Sequence, residues 1–330
     1  MQPATRWRSM RAAQILGINR RNRDLIFRYN PRRLYPVVDD KLKTKTLAAR
    51  HRIPVPPLYG ALQIQHDVRT LRDILERHPD FAMKPAHGAG GDGILVVTNQ
   101  RNQKFRKANG LWIGYDDVAY HASNIVSGTY SLGGLRDCAM VEYRVHFSPL
   151  FEKISYEGVP DVRILLVLGY PVMAMVRLPT RLSEGRGNLH QGAVGVGVDL
   201  ASGTTLDGVW GNERIDEHPD TGHPVGDLQL PEWDTFLLLA ARCYEMTGLG
   251  YLGVDIVLDR HRGPLLLELN ARPGLNIQIA SGAGLLGRCA RIEEDAARIG
   301  RTARDRVVFS KDAFASATPE PARRAKTASR

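Results

Sequence analysis

The sequence predicts an α+β protein whose sheets are built from antiparallel hairpins instead of alternating βαβ units. Three stretches carry this expectation. Residues 81 to 97, FAMKPAHGAGGDGILVV, read as strand, glycine loop, strand. From 138 to 200, strand patterns follow one another with no helical stripe between them. Residues 253 to 270 form a second hairpin around a turn at Asp259 to Pro264.

Along the chain, Asp39 and Asp40 can cap a helix from Lys41 to His51, which stops before Ile53-Pro54-Val55-Pro56-Pro57. Leu71, Ile74 and Leu75 give the next helix its apolar stripe. Residues 99 to 137 are poorly periodic, with a helix expected from Asp116 to Val126 and a Gly/Ser-rich loop after it. Strands are expected at Ala139 to Tyr143, Val162 to Leu168, Val172 to Leu178 and Gly192 to Leu200. Trp233, Phe236, Leu237, Ala240, Ala241 and Tyr244 share one face of a helix ending near Gly248. Short helices then reach about Gly300. The tail from about Ala303, rich in Ala, Ser, Thr, Pro and Arg, is expected to be disordered.

With 330 residues, 43% hydrophobic and 24% charged, the chain can bury a sizeable core. Cys138, Cys243 and Cys289 are too far apart for a disulfide framework or a metal motif, which points to a reducing compartment. The longest apolar run, Ile164 to Val176, is broken by Gly169-Tyr170-Pro171 and is too short to span a bilayer. No apolar stretch with a cleavage site follows the Arg-rich start, so a cytoplasmic protein is expected. The net charge of +10 sits at the ends: nine arginines face one acid, Asp24, in residues 1 to 35, and the tail from Arg301 is again basic. A nucleic-acid reader would carry its basic surface on the folded core, so no nucleic-acid partner is expected. The basic ends suit solvated termini, or docking to an acidic protein or a membrane surface.

Gly88-Ala89-Gly90-Gly91-Asp92-Gly93 matches the G-x-G-x-x-G of a dinucleotide-binding turn. That turn requires a helix to begin within the glycines, and here Ile94-Leu95-Val96-Val97 continues as strand. The loop reads either as an ordinary glycine turn or as a phosphate lid, in which the glycines let backbone N–H groups approach an anion. Lys84, at the exit of the preceding strand, supplies the cation a phosphate site needs.

In the downstream hairpin, alternation puts Val254, Ile256 and Leu258 on one face and Asp255 on the other. It likewise sends Leu267 and Leu269 to the core and turns Glu268 and Asn270 away, so Asp255, Glu268 and Asn270 converge on one side. Oxygen ligands of this kind suit Mg²⁺, while the alternative is a solvated polar face. Between the two hairpins, Arg163 and Arg177 lie on a strand pair, and Asn188 and His190 lie in a glycine-flanked loop. The guanidiniums can neutralise phosphoryl charge, or serve as surface ion-pair residues. His190 is a weaker candidate for a catalytic base.

The ordered set K-P, glycine loop, V-E-Y, D-x-R, a further strand arginine, G-N-L-H-Q-G, V-D-I and E-L-N-A-R-P-G resembles the ATP-grasp carboxylate–amine ligases. It is most similar to the RimK-like ribosomal-protein glutamate ligase and glutathione synthetase branch, and specifically to the alpha-L-glutamate ligase-like proteins, over about residues 36 to 285. The resemblance implies an ATP-grasp fold, two α+β subdomains whose antiparallel sheets clamp the nucleotide. It implies that Lys41, in a D-K element, and Lys84 hold phosphates, with His87 and the loop glycines Gly88, Gly90, Gly91 and Gly93 over the β- and γ-phosphates. Glu142, Tyr143 and Arg144 would line the adenine, and Asp161 would reach the ribose. Arg163, Arg177 and Asn188 would contact the transferred phosphoryl group, and Asp255, Glu268 and Asn270 would bind two Mg²⁺ ions, or Mn²⁺, with Glu268 bridging. His190 and Arg272 would face the substrates; Arg272 stands where several members carry a small residue.

The implied organisation is a basic segment over residues 1 to 35, an ATP-grasp domain over 36 to 300 with a lid subdomain at about 80 to 142 and a metal-binding subdomain at about 143 to 300, and a disordered tail over 301 to 330. One departure is clear: the family usually begins with a Rossmann-like domain that contributes to the substrate pocket, and only about 35 residues precede the D-K element here. The implied chemistry is ATP-driven formation of a peptide-type bond through an acyl-phosphate, with an amino acid such as glutamate as the amine. A phosphate-transferring variant and a nucleotide-binding regulatory or scaffold subunit are the alternatives.

Overall fold

Asp40 sets the first long helix. Its carboxylate accepts hydrogen bonds from the backbone N–H groups of Leu42 and Lys43, and helix α1 runs Lys41–Arg50. In this computed structural model, which describes residues 13–88, 90–131, 134–211, 213–296 and 301–315, α1 leads into the smaller of two sheets. Strand β1 (Leu58–Leu62) is followed by helix α2 (Leu71–Arg77), then by β2 (Phe81–Pro85), β3 (Leu95–Arg101), β4 (Lys104–Lys107) and β5 (Trp112–Gly114). Helix α3 (Tyr115–Ser127) ends at Gly128, which is left-handed at φ 91°, and the chain returns through β6 (Ala139–Glu142).

The strand order is β1-β6-β2-β3-β4-β5, antiparallel throughout. Leu71 and Leu75 of α2 and Val118, Ala122 and Ile125 of α3 pack on Leu62, Phe81, Met83, Leu95, Val97 and Val141. Each such fully buried aliphatic side chain contributes roughly 1.5–3 kcal/mol relative to exposure. Phe81 pairs with Val97 and Met83 with Leu95, so the glycine loop joins two strands of one hairpin and no helix follows it.

The larger sheet comprises β7 (Asp161–Val167), β8 (Tyr170–Leu178), β9 (Val194–Val198), β10 (Thr205–Trp210), β11 (Glu213–Ile215), β12 (Tyr251–Asp259) and β13 (Gly263–Asn270). Its order is β11-β10-β9-β8-β7-β12-β13, again antiparallel. Helix α4 (Trp233–Thr247) buries Phe236, Leu237, Ala240 and Ala241 in the same core and stops at left-handed Gly248. Helices α5 (Leu286–Ala296) and α6 (Ala303–Phe314) complete this lobe.

Several expectations are corrected. Helix α6 stands where disorder is expected: Thr302 and Asp305 cap it reciprocally, Val307 and Phe314 are buried, and Arg306 Nε donates to Gly169 O at 3.1 Å. Six of its twelve residues are apolar, but the Ala-, Ser-, Thr-, Pro- and Arg-rich residues that follow it dominate the composition of the tail. The rest of the expected tail, residues 316 to 330, lies outside the described residues. The smaller lobe reaches back to Leu58, upstream of residue 80, because β1 pairs with β6. Residues 99 to 114 hold β4 and β5, too short to show alternation. In β13, the register shift between Asp255 and Ile256 leaves Leu267 as a bulge, half-buried instead of in the core.

The N-terminal segment is integral to the larger lobe. Leu16, Leu25 and Ile26 are buried, whereas Ile18 and Phe27 are exposed. Two buried amides tie it down. Asn30 Nδ2 donates to Tyr251 O and Ala271 O at 2.7 and 2.9 Å, and its Oδ1 accepts from Tyr251 N at 2.9 Å. Gln278 Oε1 accepts from Leu16 N at 2.8 Å. Arg6, Arg8 and Arg11 lie outside the described residues, while Arg20 and Arg23 pair with Asp24 and Arg28 with Glu293. Among the described residues no helix is long and apolar enough to cross a membrane.

Candidate nucleotide and metal site

The smaller sheet carries a buried charge triad. Lys84 near the end of β2 and Glu142 at the end of β6 approach on adjacent strands, Nζ to Oε1 being 2.7 Å. Lys45, one turn beyond Lys41 on α1, reaches Glu142 Oε2 at 2.8 Å and donates to Pro56 O at 2.5 Å. All three side chains are nearly inaccessible. Burial opposes ionisation of Glu142, but Lys84 and Lys45 outweigh it and hold the carboxyl below its usual range. Burial pushes Lys45 down to about 8 despite Glu142. Two ammoniums facing one carboxylate leave excess positive charge where an anion can offset it.

Above this triad lies the glycine loop. Gly90, Gly91 and Gly93 have φ of 67°, 85° and 74°, and a Cβ on Gly93 would lie 2.6 Å from the Tyr130 ring. His87 opens the loop, its Nδ1 2.7 Å from Asp137 and its Nε2 3.6 Å from Asp40. Asp137 also accepts from the backbone N–H of His87 and Cys138 and from Ser131 Oγ. Asp92 pairs with Arg186 of the β8–β9 loop at 3.2 Å, so the glycine loop touches the larger lobe. Lys41 makes a second connection. Its Nζ donates to Gly88 O at 2.5 Å and lies 3.1 Å from Glu268 Oε1.

The larger sheet supplies the opposite wall. β7 and β12 place Arg163 beside Asp255, and β7 and β8 place Asp161 beside Arg177. Arg163 binds both oxygens of Asp255, at 2.7 and 2.6 Å. Arg177 forks onto Asp161 at 2.6 Å twice and also reaches Asp255 Oδ2 at 2.8 Å. These arginines are therefore neither surface residues nor free; they form one buried network. Burial opposes the Asp255 anion, yet Arg163 and Arg177 hold its carboxyl below the usual range. Burial pushes Asp161 up to about 6 against the pull of Arg177, the nearby Asp255 charge adding to the rise.

Asp255 lies opposite Glu268, and Gly253 opposite Asn270, so the three oxygen-bearing side chains converge as alternation implies. Asp255 is 1% exposed, whereas the Glu268 side chain is 40% exposed. Among the described residues no cluster of three His, Cys, Asp or Glu is placed to hold a metal; this set is two carboxylates and an amide. Its chemistry still fits a hard cation. A carboxylate offers about four lone-pair sites, and Asp255 uses three for Arg163 and Arg177, leaving one on Oδ1. Magnesium takes few protein ligands and completes its shell with water and phosphate.

The other candidates are placed less closely. Tyr143 and Arg144 follow β6 between the lobes, with Tyr143 Oη 3.3 Å from Asp259 and Arg144 on Asp80. Asn188 Oδ1 accepts from His190 N at 3.0 Å, capping a short turn on which His190 is exposed. Arg272 N donates to Asn270 Oδ1 at 2.8 Å, and its side chain points along the rim toward Asp39. Lys45, Asp137 and Arg186 are absent from the sequence reading. Of these only Lys45 carried a signal, its four-residue spacing from Lys41.

A glycine hairpin over paired lysines, facing an acid-bearing hairpin across a cleft, defines an ATP-grasp protein. Residues 20–294 match the model of the sugar-transfer associated ATP-grasp family, and the chain belongs to that family. Two curated relatives are each named a probable alpha-L-glutamate ligase. That of Thioalkalivibrio sulfidiphilus is 31% identical over 266 residues, 80% of this chain and 65% of its own length. That of Syntrophotalea carbinolica is 25% identical over 266 residues, with the same coverage of 80% and 65%. The chain thus spans less than two thirds of the length of these relatives. Among solved structures, the crystal structure of D-cycloserine synthetase DcsG is 16% identical, with a TM-score of 0.47, covering 82% of this chain and 74% of that one.

Proposed function

We propose that this chain is an ATP-dependent carboxylate–amine ligase: a substrate carboxylate takes the γ-phosphoryl group and releases ADP, and an amine attacks the acyl-phosphate carbonyl, losing a proton and expelling inorganic phosphate as the amide forms. The observation that carries this reading is the position of Lys41, whose ammonium touches both the glycine lid and Glu268. One ammonium thus links the glycine loop to the acid hairpin, the two elements between which the phosphates and their cation would lie.

In this reading Lys84, Lys41 and Gly88, Gly90, Gly91 and Gly93 hold the phosphates, with Lys45 keeping Glu142 ionised and Lys84 oriented. His87, gripped by Asp137, fixes the start of the lid. Glu142, Tyr143 and Arg144 border the adenine. Asp161 orients Arg177 and reaches a ribose only if that guanidinium turns away. Arg163, Arg177 and Asn188 offset charge on the transferred group. Asp255, Glu268 and Asn270 would hold Mg²⁺ or Mn²⁺, which when bound neutralises phosphate charge. His190 and Arg272 stand on the substrate side. The names of the relatives favour an amino acid, glutamate first, as the amine.

Catalysis of this kind needs positioned charges, not a nucleophilic side chain. ADP release against a panel of amino acids and peptides, with mass spectrometry of the products, tests the reading. An amide product supports it; ADP formed with only a phosphorylated product replaces it by phosphate transfer. Glu268→Gln is expected to lower ADP formation at least ~100-fold, as loss of a major transition-state contact does, with the thermal melt retained. Wild-type turnover by this variant at saturating Mg²⁺ removes Glu268 from the site.

A further inference from the structure

Arg272 stands on the rim of the cleft, two residues beyond Asn270. Its guanidinium lies 4.9 Å from the centre of the Tyr35 ring and 3.5 Å from Asp39 Oδ2. Both partners come from the N-terminal side of α1, and Asp39 is two residues before Lys41, which contacts Glu268. The turn that carries Arg272 is fixed from behind. Asn30 donates to Ala271 O at 2.9 Å and Arg21 Nη1 to Pro273 O at 3.0 Å. The backbone is therefore held while the side chains stay open, 55% exposed for Arg272 and 51% for Asp39.

This arrangement suits exchange of one carboxylate for another. Stacking on an aromatic ring fixes the plane of a guanidinium and leaves its N–H edges free. Asp39 makes one long contact where a fork would make two short ones, so donors remain for a bidentate carboxylate. An exposed pair of this length is weak and easily displaced. We propose that Arg272, stacked on Tyr35 and restrained by Asp39, is the specificity determinant that holds a carboxylate which the amine substrate keeps through the reaction; this rests on the ligase reading. The amine substrate is then a small amino acid or related zwitterion. Asp39 neutralises Arg272 in the free protein and competes with that carboxylate, so the rim favours a ligand able to grip with both oxygens over one with a single acceptor.

The test is calorimetric titration of L-glutamate, L-glutamine and L-isoglutamine into the full chain saturated with Mg²⁺ and a non-hydrolysable ATP analogue. The two amides remove the side-chain and the α-carboxylate in turn, so the weaker-binding one identifies the carboxylate that Arg272 reads. The expected outcome is a preference of at least about tenfold for L-glutamate over that analogue. Arg272→Ala should erase the preference, Arg272→Lys should restore part of it, and Asp39→Asn should strengthen L-glutamate binding. In turnover, Arg272→Ala should raise KM for the amine with little change in kcat. The proposal is overturned if Arg272→Ala discriminates as the wild type does, if Asp39→Asn weakens L-glutamate, or if the nucleotide-loaded protein binds no amino acid. Failure of the ATP analogue itself to bind counts against the ligase reading, a separate result.

Discussion

At Lys45, burial and charge oppose each other, and pH exposes the balance. The ammonium is pushed down to about 8 in the folded chain, against ~10.4 in an unfolded one. A lysine depressed in this way costs stability wherever it is charged in both states, below about 8. That cost fades as pH rises from there toward ~10.4, because the unfolded chain then binds more protons. Subtracting the stability of Lys45→Met from that of the wild type should therefore give a difference that shifts in favour of the wild type across this window. A flat difference in denaturant titrations at pH 7, 8, 9 and 10 would contradict the burial. At pH 7 the same variant leaves Glu142 with Lys84 alone and removes the excess positive charge. ATP affinity should fall about tenfold, equivalent to ~1.4 kcal/mol, a loss that calorimetry reads directly.

At the scale of elements, the glycine hairpin separates the two nucleotide motifs that its sequence resembles. A lid over phosphates predicts that ATP with Mg²⁺ slows hydrogen exchange at residues 86 to 88 and 90 to 93 and raises the melting temperature, while NAD does neither. Protection by NAD alone would restore the dinucleotide turn. Gly93→Ala is expected to weaken ATP binding with the melt largely kept, since both its φ of 74° and the Tyr130 ring exclude a Cβ. This hairpin was legible because apolar Phe81-Ala82-Met83 and β-branched Ile94, Val96 and Val97 flank a glycine-rich loop. Asp255, Glu268 and Asn270 were legible for a related reason: period-two alternation on two adjacent strands fixes which side chains share a face. Alternation failed at Leu267, where one bulged residue shifts the phase. The Arg163–Asp255 contact was out of reach because it depends on β7 lying beside β12, a pairing of strands some ninety residues apart in sequence. Lys45 was missed for the same reason, since a helical period cannot say that Glu142 lies beneath it. Strands β4 and β5 were missed because their seven residues carry a single buried apolar side chain, Phe105.

For the whole molecule, the question is whether the arginine-rich start is an arm for a partner or part of the body. Its composition favours an arm, but composition counts charges and not where two buried amides go. Asn30 is 3% exposed and bonds to the backbone of β12 and of the turn after β13. β12 and the strand before that turn carry Asp255, Glu268 and Asn270, so the segment braces the acid-bearing hairpin. Replacing Asn30 by Ala would leave Tyr251 N and two carbonyl oxygens without this partner in a place water cannot reach. Each buried polar group so orphaned costs about 1–3 kcal/mol, enough to lower the melting temperature by several degrees. Deleting residues 1 to 30 removes Leu16, Leu25 and Ile26 from the core as well, and should abolish the cooperative melt instead of merely weakening a salt-sensitive association. An arm would behave oppositely. Its loss would leave the melt and ATP binding intact, and only binding to an acidic partner would fall, most at low ionic strength. A cooperative melt and wild-type ATP affinity in the truncated chain would show that the bracing of the acid hairpin is dispensable, and that the arginines of the segment serve a surface outside this molecule.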